Sequence, residues 1–277
     1  MSDLRTLVAP NAGPFTLDGT RTYIVGRTRP AVIDPGPDSE AHQRRIADQV
    51  SGADQVTILL THDHSDHAGG AERLSGILGI PVRTPSGSAV PDRGGGGEDG
   101  PESDREDQAA SMRSGEEVAT DVGSLVSVAT PGHASPHLSF HWPEREAVFV
   151  GDLLLGQGNT TWVGAYPGCV ADYLDSLDRI ESLEPEVLYP GHGPPVFEVS
   201  RVVERFRRHR LRRLDQLRGL REAEPEASVE TLARKLYGTL EDQGLHRAGL
   251  DSVRAMLHHL DSLDSRADAQ EEDPVEG

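Results

Sequence analysis

The run THDHSDH, Thr61 to His67, follows the apolar stretch VTILL at Val56 to Leu60, and its reading decides the fold. Side chains that leave the end of a buried strand stand in a loop that a rigid scaffold can aim into a cleft. His62 and His64 are two residues apart and reach one metal ion from the same turn. Asp66 and His67 lie on the other side of that turn and reach a second. Four potential ligands within six residues are more than packing alone supplies.

Working outward, the same grammar recurs three times. His133 closes SLVSVATPGH, Asp152 closes AVFVGD and His192 closes EVLYPGH, each a ligand type placed after an apolar strand. Singly, each reads equally well as a turn residue beside glycine. Together with the first cluster they make five histidines and two aspartates. Two borderline metal ions need such a set: imidazoles for each, a bridging carboxylate and a vacant position for water.

The surrounding pattern predicts strands at Thr22–Gly26, Ala31–Asp34 and up to Thr61, with a helix over AHQRRIADQV capped by Asp38 or Ser39. Strand, helix, strand order argues for a mixed α/β layer architecture. AERLSGIL reads as a helix and PVRT as a short strand. From 85 to 115 the composition turns to Gly, Ser, Asp and Glu around GGGGEDGPESDRED, which reads as a flexible, solvated loop. Strand patterns resume at Ser124–Thr130, LSFHW and Ala147–Leu155, then a helix over Ala171–Leu183 and the strand of EVLYPGHG. Beyond Pro195 only helical patterns follow, at Glu198–Glu222, Ser228–Tyr237 and Gly249–Leu263. The expected division is a body over 1–197, a helical unit over 198–264 and a frayed acidic tail over 265–277.

At 277 residues the chain can bury a substantial core, as one domain with an appendage. No stretch reaches bilayer-spanning length, and MSDLRTLVAPN lacks the charged start and apolar run of a secretory signal, so the cytoplasm is the expected location. The sole cysteine, Cys169, forms no internal disulfide and reads as a small buried hydrophobe. Formal charge is -19, from 46 acidic against 27 basic residues, with Lys235 the only lysine. Such a surface repels itself in dilute buffer and is relieved at molar salt, where the Debye length falls to about 3 Å, so a halophilic setting is expected.

HDHSDH matches the HxHxDH signature of the metallo-β-lactamase superfamily, and TPGH, GD and PGHG stand in that family's order, so the chain resembles this family from about Asn11 to Pro195. The resemblance implies an αββα sandwich with metals at one edge between two sheets. It implies that His62, His64 and His133 bind one zinc ion, that Asp66, His67 and His192 bind another, and that Asp152 bridges them. Manganese or iron are alternatives to zinc. A hydroxide shared by the two ions would be the nucleophile, oriented by Asp66 and Asp152. Asp63, inside the cluster but outside the ligand pattern, is expected to orient an imidazole. His137 reads as a structural histidine, with a substrate-facing role as the alternative. His141, His246, His258 and His259 have no metal spacing.

Within the superfamily, NAGPFTLDGTRTYIVG, GDLLLGQGNTTW, DYLDSLDRI and YPGHGPPV are similar to the β-lactamase-like protein 2 group, itself related to glyoxalase II. His209 and Arg210 open that group's C-terminal helix, and the helices after it resemble a small winged-helix-like appendage. The group's last wing strand is apolar, whereas here LDSLDSRADAQ runs into acid. The likeness implies cleavage of phosphodiesters in single-stranded RNA. A thioester hydrolase of the glyoxalase II type, acting on hydroxyacylglutathione, is the alternative, although GQGNT does not supply that enzyme's Gly-Arg. A non-enzymatic RNA-binding or scaffold protein is a third reading, opposed by seven filled ligand positions. Arg201 to Arg221 holds nine arginines, which read either as phosphate contacts or as the polar side of an amphipathic helix packing Val203, Phe206, Leu214 and Leu217.

Overall fold

The computed structural model describes residues 3–87 and 109–271. Its first sheet runs β1 (Leu4–Val8), β2 (Arg21–Val25), β3 (Ala31–Ile33), β4 (Thr57–Leu59), β5 (Val82–Pro85) and β6 (Ala109–Met112), neighbours in that order. The first three strands are antiparallel and the rest parallel. The second sheet places β11 (Val187–Pro190) at one edge, then β10 (Ala147–Gly151), β9 (Leu138–Trp142), β8 (Gly123–Ala129) and β7 (Glu117–Thr120). Helices α1 (Glu40–Gln49), α2 (Ser65–Ala68) and α3 (Ala71–Leu78) follow strands of the first sheet. The helices α4 (Cys169–Ser182), α5 (Val199–Ala223), α6 (Val229–Tyr237) and α7 (Gln243–Glu271) belong to the second half.

Alternation along the strands decides which layer each side chain enters. Tyr23, Val25, Ala31, Ile33 and Leu59 point inward to meet Phe140, Ala147 and Phe149 of the second sheet. Their neighbours Ile24, Val32 and Ile58 point outward and pack on Ile46 of α1 and Leu74 of α3. In β10, Val148 and Val150 face the other way, onto α4 and the C-terminal helices. Strands covered on both faces read as unbroken apolar runs, which is why YIV, AVI and AVFV show no polar alternation. The layers are therefore helix, sheet, sheet, helix.

Ser39 caps α1, its hydroxyl accepting from the His42 amide at 3.4 Å. Cys169 is buried, as expected for a small hydrophobe. Val203, Phe206, Leu214 and Leu217 of α5 are buried in one cluster with Val148, Tyr173, Leu232, Met256 and Leu260, so the last helices share their core with the second sheet's outer face.

Several elements differ from the sequence expectations. The strands β1, β6 and β7 were not foreseen, and β6 lies inside the stretch read as a loop; residues 88–108 of that stretch lie outside the described residues. Helix α7 continues to Glu271, into the segment read as a frayed tail. Among the described residues no strand follows β11, so the winged-helix expectation is met in its helices and not in a wing. No helix among them is long and apolar enough to cross a membrane.

Candidate metal centre

Four strand ends converge. The turn after β4 and helix α2 carry His62, His64, Asp66 and His67, and the loops after β8, β10 and β11 carry His133, Asp152 and His192. All seven residues expected as ligands come together in two groups, His62–His64–His133 and Asp66–His67–Asp152–His192, within each of which the ligand atoms lie within 4.8 Å of one another.

Hydrogen bonds on the far side of each ring fix which nitrogen is free, because a neutral imidazole has one donor and one acceptor. Thr61 donates its hydroxyl to Asp34 Oδ2 at 2.8 Å, so at 2.9 Å it can only accept from His62 Nδ1. His62 Nε2 is left buried without a partner. His67 Nδ1 donates to Asp34 Oδ2 at 2.8 Å and His133 Nδ1 to the Trp162 carbonyl at 2.9 Å. His192 Nδ1 points at the Gly19 carbonyl, 3.4 Å away. Each of these four rings turns its Nε2 inward, and His64 presents Nδ1 instead, 3.0 Å from His133 Nε2.

The spacings test whether a metal fits. Ligands about 2.0–2.1 Å from a tetrahedral zinc lie about 3.3 Å from one another. His67 Nε2 is 3.3 Å from His192 Nε2 and 3.3 Å from Asp152 Oδ1, and His192 Nε2 is 3.1 Å from Asp66 Oδ2 and 3.3 Å from Asp152 Oδ2. Asp152 Oδ2 also lies 3.7 Å from His133 Nε2, which puts this carboxylate between the two groups. The donor set and its spacing fit two divalent ions.

Electrostatics divide the site. Burial, with His67, His137 and His133 nearby, holds His62 well below the ordinary imidazole range, and burial takes His133 down to about 4. These rings are neutral and offer lone pairs. At His67 burial also opposes protonation, but Asp152, Asp34 and Asp66 outweigh it and raise the ring well above its usual range. His192 is pushed up to about 9 against burial, by Asp152 and Asp66. Asp152 itself is held well below the carboxylate range, because His67 and His192 overcome its burial. A divalent cation held there would replace those two protons with a charge that the same carboxylates favour.

Sequence reasoning missed the residues that hold the ligands. Asp34 stands at φ 52°, a left-handed conformation that aspartate tolerates better than most residues. There it accepts from the Thr61 amide, the Thr61 hydroxyl and His67. Asp34 ends AVID just as the ligands end their strands, so the signal was present. The imidazole-orienting role expected of Asp63 falls to Asp34 and Thr61; among the described residues Asp63 shows no hydrogen bond to a ring. His137 is buried, pushed down to about 3 by burial and His133, with Nδ1 against Thr130 Oγ1 at 2.9 Å and Nε2 unpartnered. It packs beside His62 and does not line the cavity. Glycines make room: a Cβ on Gly191 would lie 2.5 Å from His67 Cε1 and 2.6 Å from Asp152 Oδ1.

A cavity of about 790 Å³ opens off His64, Asp66, His133 and Asp152. Its walls include Phe15, Leu155, Trp162, Leu236, Tyr237 and Leu240, so much of it comes from the C-terminal helices. Phe15 reaches across to Gly244 at the start of α7. Loop 160–162 joins walls to ligands. Thr161 Oγ1 donates to the Asp152 carbonyl at 2.9 Å, the Trp162 carbonyl holds His133, and Arg210 Nη2 of α5 donates to the Thr161 carbonyl at 3.0 Å.

Residues 16–192 match the family described as the metallo-beta-lactamase superfamily. A beta-lactamase-like protein 2 homolog of Caenorhabditis elegans is 28% identical over 271 residues, covering 94% of this chain and 85% of that one. An atrochrysone carboxyl ACP thioesterase of Aspergillus chevalieri is 30% identical over 249 residues, covering 85% and 73%. Among solved structures, a metallo-beta-lactamase family protein of Thermus thermophilus superposes with TM-score 0.74 at 23% identity, over 95% of this chain and 94% of that one. Sandwich, converging ligands and matched sequence agree: the chain belongs to the metallo-beta-lactamase superfamily and is a hydrolase of that fold.

Proposed function

We propose that the chain is a dinuclear metallohydrolase that cleaves thioesters or esters of apolar acyl groups. The observation that carries this reading is the cavity at the ligands, whose walls include four leucines and the rings of Phe15, Trp162 and Tyr237. His62, His64 and His133 would hold one ion, Asp66, His67 and His192 the other, with Asp152 between them and zinc as the expected metal. Such ions, when bound, supply Lewis acidity and lower the pKa of a water to about 7. Asp66 is the most exposed carboxylate of the site, its side chain 27% accessible against 9% for Asp152. It therefore orients the attacking water from the cavity side and holds the proton released on attack until the thiol or alcohol leaves with it. Leu155, Leu236 and Leu240 seat the acyl group and exclude bulk water around the carbonyl.

Of the nine arginines on α5, four are held in ion pairs. Arg207 pairs with Asp178, Glu181 and Glu204, Arg208 with Glu204, Arg201 with Glu198, and Arg221 with Asp261 and Asp264. The relative named as an atrochrysone carboxyl ACP thioesterase is, by its name, a thioesterase, which is consistent with an acyl substrate here.

The test is metal analysis followed by a substrate panel of acyl thioesters, aryl esters, S-lactoylglutathione and single-stranded RNA. Thioester or ester turnover with two metal equivalents, abolished by Asp66→Ala, is the expected result. Metal-dependent RNA cleavage with every acyl substrate untouched would overturn the proposal.

A further inference from the structure

One wall of the cavity carries an unbalanced charge. Arg210, Arg213 and Arg247 line it, and among the described residues none of the three has a carboxylate within ion-pair distance. Four arginines of the same helix, Arg201, Arg207, Arg208 and Arg221, are ion-paired, and the lining carboxylate Asp251 is taken by Arg254 at 2.8 Å. Arg210 is only 3% exposed. It lies over the Tyr173 ring at 5.5 Å and gives one nitrogen to the Thr161 carbonyl, while its Nε has no acceptor. Arg213 donates to the Leu236 carbonyl at 2.9 Å, lies over Tyr237 at 5.2 Å, and also keeps an Nε without acceptor. His209 Nδ1 and Trp162 Nε1 are likewise unpartnered. Burying guanidinium charge without a counter-charge is costly, and nitrogen donors left without acceptors add to that cost. Both deficits belong to residues that line one cavity.

We infer that this arginine-lined wall of the cavity binds an oxyanion carried by the substrate, a carboxylate or a phosphate distinct from the scissile carbonyl. The inference rests on the acyl-hydrolase reading and deepens it. The substrate is then amphipathic: an ester or thioester at the metal ligands, an apolar or aromatic middle against Trp162 and Tyr237, and an anion at Arg213 and Arg247. Arg247, exposed at the rim, meets the anion first, and Arg213 inside fixes its position. The two sources of such an anion are a carboxylate on the acyl group and a phosphate on the carrier thiol.

Kinetics on three thioesters separate them: octanoyl and its terminal-carboxylate analogue suberyl, both on neutral N-acetylcysteamine, and octanoyl on coenzyme A. In Arg213→Gln and Arg247→Gln, losing a charge-assisted hydrogen bond should lower discrimination by about tenfold or more. A fall in the suberyl-to-octanoyl ratio of kcat/KM assigns the site to an acyl carboxylate. A fall in the coenzyme A to N-acetylcysteamine ratio assigns it to a carrier phosphate. Either supports the site, and both ratios unchanged in both variants overturns it. Arg247 is exposed, so its variant decides even if Arg213→Gln folds poorly. A second arm needs no turnover: calorimetric binding of naphthoate against neutral naphthamide to the metal-loaded chain, whose preference for the acid should fall by a similar factor. Naphthoate held by the metals alone would keep its preference in the variants and count against the site. Failure to hydrolyse any thioester would sink the acyl-hydrolase reading and leave this binding arm to decide the anion site.

Discussion

Asp34→Asn changes one atom of the network and should weaken one metal position selectively. Asp34 Oδ1 accepts from the Thr61 amide at 2.8 Å, and an asparagine oxygen can keep that bond. At Oδ2 the variant presents an NH2 group where the carboxylate accepted from both Thr61 Oγ1 and His67 Nδ1. To receive that NH2, His67 must give up the proton on Nδ1, and the neutral ring then carries it on Nε2. That nitrogen faces Asp152 and His192 at 3.3 Å and is the one a metal needs bare. Loss of such a supporting carboxylate costs about 10–100-fold in metal affinity, or about 1.4–2.7 kcal/mol. The other group feels less, since Thr61 can still accept from His62 and loses only an acceptor for its own hydroxyl, about 1 kcal/mol. The assay is competition between the protein and a chromophoric chelator for two equivalents of zinc, with Asp34→Asn expected to weaken one equivalent and spare the other. Two unchanged affinities, or equal losses at both positions, would refute the tautomer argument.

Four further perturbations follow from the structure. Gly191→Ala drives a methyl into His67 and Asp152, so it should reduce metal binding at least as much as Asp34→Asn, read by the same titration. Acid should destabilise the metal-free fold through His42, which burial and Arg45 push down to about 4. Its Nε2–H bonds Thr22, and its Nδ1 has no partner to receive a second proton's bond. The unfolded ring takes up a proton below about 6.5 and the folded one only near 4, so stability falls as pH drops through that window, by roughly 3 kcal/mol. His42→Gln should flatten that part of a denaturant-versus-pH series, and an unchanged slope would count against it. Phe206→Ala, in the cluster shared by helices and sheet, should cost about 3–5 kcal/mol and lower a single melting transition; separate transitions for the two halves would contradict the shared core. The formal charge of -19 leads us to expect a melting temperature that rises from dilute buffer to molar KCl, and a flat response would remove the halophilic reading.

The ligands were legible because each one ends an apolar strand, and strands buried on both faces announce themselves as unbroken hydrophobic runs. What holds the ligands was less legible. Asp34 is followed by Pro-Gly and reads as a turn, and the carbonyl of Trp162 leaves no mark in a sequence at all. The strand β6, AASM, has too few large apolar residues to stand out from the Gly-rich stretch before it. Helix α7 outran its expected end because the residues after Leu263 are good helix formers without an apolar stripe. Arg210 was hidden among eight other arginines. Yet Val203, Phe206, Arg210, Leu214 and Leu217 recur at steps of three and four, so its position on the buried face could have been found by registering the helix rather than counting its charge.

The contact between Arg210 and loop 160–162 has a consequence for how such a protein changes over time. The metal ligands lie in the first 192 residues and much of the cavity wall in the last eighty or so, and residue 210 joins the two directly at the site. A lineage that alters it to admit a different ligand also loosens the backbone that carries Asp152 and His133. New specificities should therefore arise first from Arg213, Arg247 and the leucines, with position 210 as the slowest part of the wall to diverge.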